Sequence, residues 1–178
     1  MGGGCRYRCW WRKGVSIIED YGLVRIDDRL IHGQVIAVWC RQGSFNRIVI
    51  VDDAVAADSF MQDVLRLAAP TGLQVEAFSV ADALKVLAGE GMTPRNTMVL
   101  MKSPQTARRL HDGGFAFPAL NVGGIGHGPG RKNIFKNISA SAEEIAILKE
   151  LVNRGVKVTL LTVPGEKSQS FAELAGKL

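Results

Sequence analysis

The stretch that decides the fold is Arg25-Ile26-Asp27-Asp28-Arg29-Leu30-Ile31-His32-Gly33-Gln34-Val35. The apolar run at its start, Leu23 to Ile26, predicts a strand with a charged tip, and a helical pattern begins near Gly33. His32 is therefore expected where the strand passes into the helix. The first N–H groups of a helix have no partner within it, and with the helix dipole they form an anion site. A histidine there, three residues after Arg29, indicates a site for a phosphoryl group.

The residue types in this stretch suit phosphoryl transfer. An imidazole can attack phosphorus when it is neutral and one ring nitrogen carries no proton, so His32 is the candidate nucleophile. Arg29 can bind two phosphate oxygens with its planar guanidinium, which lysine does less specifically. Asp27 or Asp28 accepts a hydrogen bond from the other ring nitrogen, or orients Arg29. The choice between them depends on the phase of the strand, which the sequence leaves open.

The two residues after the histidine, Gly33 and Gln34, are candidate phosphate-binding residues. Glycine lacks a side chain where a phosphate must approach the backbone. Gln34 offers an amide donor in the first helical turn. Both therefore receive an assisting role.

Short apolar runs alternate with longer periodic ones after residue 22, which predicts alternating strands and helices. The predicted strands are Leu23–Asp27, Arg47–Asp52, Leu73–Phe78, Thr97–Lys102, Ala119–Val122, Asn133–Ile138 and Val156–Leu161. The predicted helices are Gly33–Arg41, Ala54–Ala68, Ala81–Ala88, Pro104–Asp112 and Ala142–Asn153, with a last helix from about Ser170. This order predicts an α/β fold of three layers, with a mostly parallel central sheet and helices on both faces.

Composition bounds the class of protein. At 178 residues, 47% hydrophobic and 22% charged, the chain has the size of one domain with a sizeable core. We assign residues 22–178 to that domain and treat residues 1–21 as an N-terminal extension, either disordered or not native to it. No apolar stretch approaches the roughly 18–20 residues of a membrane helix. The net charge of +5 is too small and scattered to predict nucleic-acid binding.

The stretch from Ile26 to Val35 resembles the signature around the phosphorylated histidine in one family of transport proteins. These are the IIB components of the mannose–fructose–sorbose class of the bacterial phosphoenolpyruvate-dependent sugar phosphotransferase system. The resemblance runs from about Gly22 to the C-terminus. Further matching stretches follow in order: Arg47-Ile48-Val49-Ile50-Val51-Asp52-Asp53, Val55-Ala56-Ala57-Asp58, Ala69-Pro70 and Asn121-Val122-Gly123-Gly124.

The resemblance implies the activity of a protein-N(pi)-phosphohistidine–sugar phosphotransferase. A separate IIA donor protein would phosphorylate His32, with assistance from Arg29, and the group would pass to a sugar delivered by membrane IIC and IID partners. The protein would be cytoplasmic and held at the inner face of the membrane by these partners, and a homodimer is possible. Neither a metal ion nor another cofactor is expected.

The sequence leaves two alternative functions open. The protein could be a regulatory phosphoprotein of the same fold, in which a partner senses the phosphorylation of His32 and no sugar is modified. It could also be an unrelated nucleotide-binding enzyme, although the glycine-rich segment Asn121–Gly130 contains neither GxGxxG nor GxxxxGK[ST]. Ile125 and the segment Gly126-His127-Gly128 depart from the usual family loop, at a place that bears on the sugar system and the choice of partners. His127 could be an accessory phosphate contact or a simple loop residue.

Overall fold

The computed structural model describes residues 22–88 and 96–178. The prediction for residues 1–21 lies outside the described residues. The strands are β1 (Leu23–Asp27), β2 (Arg47–Val51), β3 (Gln74–Phe78), β4 (Thr97–Met101), β5 (Ala119–Gly124), β6 (Lys132–Phe135), β7 (Ile138–Ala140), β8 (Lys157–Leu160) and β9 (Gln169–Ser170). The helices are α1 (Gly33–Gly43), α2 (Asp53–Ala57), α3 (Ser59–Ala68), α4 (Val80–Ala88), α5 (Pro104–Asp112), α6 (Ala142–Asn153) and α7 (Phe171–Ala175).

Seven strands form the central sheet in the order β3-β2-β4-β1-β5-β8-β9. The first six strands are parallel, and β9 joins β8 in antiparallel orientation. Strands β6 and β7 form a separate antiparallel pair. The parallel sheet confirms the predicted fold class.

Successive side chains along each strand point to alternate faces of the sheet, and this divides the apolar core into two clusters. In β4, Met98 and Leu100 belong to one apolar cluster, while Val99 and Met101 belong to the other. Successive side chains of a strand point to opposite faces of the sheet. A strand that is covered on both faces therefore has apolar residues at consecutive positions. The first cluster packs beneath α1 and α3, and the second beneath α4, α5, α6 and α7. Helices on both faces complete the predicted three layers.

Several predicted helix boundaries are confirmed through their caps. Ser103 accepts a hydrogen bond from the Thr106 N–H and precedes Pro104, which occupies the first turn of α5. Ser141 and Glu144 form a capping box at the start of α6, which begins at the predicted residue. Local chemistry therefore sets these boundaries.

Two predicted elements were wrong. The helix expected over Ala54–Ala68 is divided into α2 and α3 at Asp58, whose extended backbone and side chain cap α3 by accepting from the Met61 N–H. The strand expected over Asn133–Ile138 is the β6–β7 hairpin, which turns at Lys136 with φ of 47°. Helical apolar spacing continues across Asp58, so it could not reveal the first break. The polar pair Lys136-Asn137 was the local signal for the second.

The order of the strands places one crevice at the centre of the carboxyl edge. From β1 the chain crosses to β2 on one side, and from β5 it continues to β8 on the other. Connections that leave in opposite directions open a space between the strand ends, where ligands bind in open α/β sheets. The turn after β1 and the glycine-rich segment after β5 both border this crevice.

Within the described residues, no helix combines the length and apolar character needed to cross a membrane.

Candidate functional site

The tip of β1 is a tight turn that ends in an unusual backbone conformation. The Leu30 N–H donates to the Asp27 carbonyl at 3.0 Å, which closes the turn over Asp28 and Arg29. Leu30 has φ of 55°, a left-handed conformation that costs energy for a residue with a side chain. Its side chain is buried in the cluster beneath α1. That packing holds the strained residue in place.

His32 occupies the N-cap position of α1. Its Nδ1 lies 2.8 Å from the carbonyl oxygen of Leu30. A neutral ring that donates Nδ1–H to this oxygen carries its lone pair on Nε2. Nε2 is itself buried and has no hydrogen-bond partner within the described residues. The His32 side chain makes no capping hydrogen bond to the helix.

Gly33 begins α1 with φ of +44°, a conformation that favours glycine. A Cβ at Gly33 would meet no other atom within 4 Å. The side chain of Gln34 lies outside the described residues, so its proposed amide contact stays a prediction.

Arg29 is oriented by Asp27. Its Nε donates to Asp27 Oδ1 at 3.1 Å, and its backbone N–H approaches the same oxygen at 3.3 Å. The carboxylate of Asp27 is completely buried, whereas the Arg29 side chain is 46% exposed. Of the two alternatives left open by the sequence, the described contacts place Asp27 against Arg29 and neither carboxylate against the His32 ring.

Asp28 holds the glycine-rich segment. Its Oδ2 accepts a hydrogen bond from the Gly126 N–H at 2.7 Å, and its backbone N–H donates to the Gly124 carbonyl at 3.0 Å. The turn after β1 and the segment after β5 are therefore fastened to each other on one side of the crevice.

Sequence reasoning missed Arg25, the central member of the site. Arg25 and Asp27 point to the same face of β1, and Arg25 Nη2 donates to Asp27 Oδ2 at 2.8 Å. The guanidinium also donates to Asn121 Oδ1 and to the carbonyls of Leu161 and Thr162, the latter two at 3.1 and 3.0 Å. An arginine in a strand predicted to be buried on both faces was the signal, because such residues are seldom buried without a partner.

Burial lowers the pKa of the Arg25 guanidinium to about 10, and Asp27 acts in the opposite direction. The guanidinium is therefore still charged near neutral pH. Its Cζ also lies 5.0 Å from the centre of the Trp39 ring, at a distance suited to a cation–π contact.

The Asn121-Val122-Gly123-Gly124 motif makes room for this guanidinium. Pairing of β1 with β5 shifts by one residue after Ile26, which leaves Gly123 as an extra residue in β5. A Cβ on Gly123 would lie 1.9 Å from Arg25 Cζ. Only glycine fits there while Arg25 keeps its position.

Arg131 fastens the other end of the glycine-rich segment. Its Nε and Nη2 bind the Glu144 carboxylate at 2.9 and 2.6 Å, and Nη1 donates to the Gly126 carbonyl at 3.2 Å. Burial of Glu144 disfavours its charged form. The hydrogen bonds from Arg131 and the Ser141 N–H outweigh burial, so the pKa of Glu144 lies below its ordinary value. The segment is thus fixed to the capped start of α6.

His127 lies on this segment and is exposed, with Nδ1 3.3 Å from the Ser139 hydroxyl. Within the described residues, no group of three or more histidine, cysteine or acidic side chains is placed to hold a metal ion.

Comparison with known proteins agrees with this architecture. The family model for the PTS system sorbose subfamily IIB component matches residues 21–178. The sorbose-specific EIIB component of Lacticaseibacillus casei is 35% identical over 149 residues, which cover 84% of this chain and 91% of that protein. The mannose-specific EIIAB component of Escherichia coli K12 is 32% identical over 163 residues, or 90% of this chain and 50% of that protein.

Solved structures show the same likeness. The crystal structure of the IIBSor domain of the sorbose permease from Klebsiella pneumoniae superposes with a TM-score of 0.82 at 33% identity, covering 87% of this chain and 95% of that one. The N-acetylgalactosamine-specific IIB component 1 from Escherichia coli gives a TM-score of 0.77 at 32% identity, over 83% of this chain and 97% of that one.

The chain belongs to the sorbose subfamily of IIB components of the sugar phosphotransferase system. This match confirms the family predicted from the sequence. IIB components are phosphotransferases in general and take part in sugar transport. The chain spans about half the length of the mannose-specific EIIAB relatives that it matches.

We expect Gly123→Ala to destabilise the protein by about 3 kcal/mol, because overpacking a filled site costs about 1–3 kcal/mol and the displaced guanidinium also loses hydrogen bonds. The matched control is Gly128→Ala, whose Cβ would lie 3.6 Å from Arg131 Cδ in ordinary contact. We expect it to change stability by less than about 0.5 kcal/mol. Urea unfolding followed by circular dichroism measures both, and equal stability of the two variants would contradict the close packing at Gly123.

We expect Glu144 to make the stability of the protein depend on pH in acid. Because its pKa is lowered on folding, the ionised carboxylate stabilises the protein above its ordinary pKa of 4.5, and this contribution is lost as the pH falls through the folded value. Glu144→Gln should cost about 1–3 kcal/mol at pH 7 and flatten the loss of stability below pH 4.5. The control is Glu143→Gln, at an exposed position in the same helical turn. Thermal unfolding from pH 7 to pH 3 tests this, and identical acid slopes for wild type and Glu144→Gln would refute it.

Proposed function

We propose that this chain carries a phosphoryl group on His32 within a sugar phosphotransferase system. The phosphorus–nitrogen bond of a phosphohistidine on a IIA donor breaks as a new one forms to His32. The group then passes to a hydroxyl of a sugar that membrane IIC and IID partners deliver. In enzyme terms the chain is a protein-N(pi)-phosphohistidine–sugar phosphotransferase. It acts on the cytoplasmic side of the membrane, where its partners hold it.

One observation carries this proposal. His32 is the N-cap residue of α1, beside the crevice between β1 and β5, and Arg29, held by Asp27, lies on the adjoining turn. The N-terminal amides of α1 contribute partial positive charge, and the half-exposed guanidinium contributes a full one. Phosphoryl transfer depends mainly on positioning and on such charge stabilisation. The arrangement therefore supports transfer at His32 without a metal ion.

The hydrogen bond to Leu30 bears on which ring nitrogen reacts. The pi nitrogen in the name of the activity is Nδ1, the atom 2.8 Å from the Leu30 carbonyl oxygen. A proton held between them blocks attack by Nδ1. We infer that the ring leaves this hydrogen bond when the donor docks, and that Leu30 otherwise holds it in a resting orientation. Nitrogen-15 NMR of the phosphorylated ring identifies the nitrogen that carries the group.

We expect His32→Ala to abolish acceptance of phosphoryl from a phosphorylated IIA donor, because the nucleophile is removed. The matched control is His127→Ala, which removes an exposed histidine of the glycine-rich segment and should be labelled fully. Transfer of radioactive phosphate from the donor, followed by gel autoradiography, measures both. Labelling of His32→Ala to the wild-type level would rule out His32 as the acceptor.

The same assay separates sugar transfer from regulation. When membranes that contain IIC and IID subunits and a candidate sugar are added, labelled wild-type protein should discharge and sugar phosphate should form. Labelled protein that discharges to none of the class's sugars would instead support the regulatory phosphoprotein.

We expect Arg29→Ala to slow transfer to His32 by about 100- to 1,000-fold while leaving some acceptance, because one charge-stabilising contact is typically worth about 3–4 kcal/mol of barrier. The control is Arg66→Ala, which removes an exposed arginine of α3 that forms an ion pair with Asp63. This variant should transfer at the wild-type rate. Rapid-quench measurement at saturating donor gives the rate. A wild-type rate for Arg29→Ala would remove this residue from the proposed site.

A further inference from the structure

Arg25 has the largest completely buried side chain among the described residues. Its guanidinium is charged, and moving such a group out of water costs several kcal/mol even after relaxation. Apolar residues of similar volume often support a fold equally well at such positions. A role beyond stability therefore has to be sought in what the guanidinium contacts.

The carboxylate of Asp27 is shared between two arginines. Oδ2 accepts from Arg25 Nη2 at 2.8 Å, and Oδ1 accepts from Arg29 Nε at 3.1 Å. Asp27 is completely buried, as is Arg25, whereas Arg29 reaches solvent. The three side chains thus form a continuous path from the core to the mouth of the crevice.

The inner end of this path is fixed from three sides. Arg25 donates to Asn121 on β5 and to the carbonyls of Leu161 and Thr162, which follow β8. It also lies against the ring of Trp39, whose Nε1 donates to the Thr162 carbonyl at 3.0 Å. Trp39 belongs to α1, the helix that begins next to His32. Arg25 therefore connects β1, which leads into the turn with Arg29, to α1, whose N-cap residue is His32.

We propose that Arg25 is a positioning residue for phosphoryl transfer: it fixes the Asp27 carboxylate, which in turn fixes the Arg29 guanidinium on the turn that leads to His32. This inference rests on the proposed function. Arg25 does not contact the phosphoryl group, because its side chain is fully buried. We assign its effect on the rate to the contact with Asp27, and we therefore expect that effect to pass through Arg29.

The test is a double-mutant cycle between Arg25→Lys and Arg29→Ala, with single-turnover transfer from a phosphorylated IIA donor as the readout. Lysine keeps the positive charge but cannot hold several acceptors in one plane. We expect Arg25→Lys to slow transfer at saturating donor about tenfold or more, with an unchanged half-saturating donor concentration. In the Arg29→Ala background the same change should have less than a twofold effect.

The matched control is Arg47→Lys, which alters another strand arginine in an ion pair. Arg47 Nε donates to Glu76 at 2.6 Å between β2 and β3, at the amino end of β2 and outside the crevice. We expect this variant to transfer at the wild-type rate. If Arg25→Lys is unfolded at the assay temperature, Asp27→Asn replaces it in the cycle, because it breaks the next link of the path with little change in shape.

Each outcome bears on a different statement. Equal slowing by Arg25→Lys in both backgrounds, or no slowing in either, overturns the positioning role. A wild-type rate for Arg29→Ala alone contradicts the proposed role of Arg29 and leaves His32 to be judged by its own variant. Slowing that disappears once Arg29 is removed supports the positioning role.

Discussion

The candidate site depends on one buried ion pair, between Arg25 and Asp27. Two charges in the core are tolerated only when most of their hydrogen-bonding groups are satisfied. Both terminal nitrogens of the Arg25 guanidinium have acceptors, and within the described residues only its Nε lacks a partner. One side-chain amide and two backbone carbonyls accept from its guanidinium, an indole faces it, and Gly123 leaves it space. Residues far apart in the chain are thereby committed to a single geometry at the tip of β1.

The parallel sheet then determines what that geometry can do. Because β1 and β5 lie side by side and their following segments leave in opposite directions, a crevice opens between their carboxyl ends. Asp28 and Arg131 fix the glycine-rich segment along this crevice. Asp28 accepts a hydrogen bond from the N–H of Gly126, and Arg131 donates one to its carbonyl oxygen. The nucleophile, the exposed arginine and the start of α1 are thus presented from anchored backbone, which suits a reaction that depends on positioning.

Much of the fold could be predicted because its signals are local. Apolar runs marked the strands, and the predicted bounds of α5 and α6 agree with the serine caps at which these helices begin. The two errors lie at Asp58 and at the Lys136 turn, where a cap in one case and a left-handed residue in the other interrupts the element. At the site, the phase of β1 decided that Asp27 orients Arg29 and that Asp28 binds the loop, and phase is set by pairing with β4 and β5.

By itself, the sequence determined the class of fold, the family and the candidate nucleophile. Each of these depends on residues that are close together in the chain, where apolar spacing and short motifs have a direct physical meaning. Only the tertiary structure decided that Arg25 lies at the centre of the site. Its acceptors come from residues about 100 to 140 positions away, and the need for glycine at position 123 arises only when a guanidinium from another strand fills the space. Interactions between distant segments leave no periodic trace in either segment, so they appear only when the sheet is assembled.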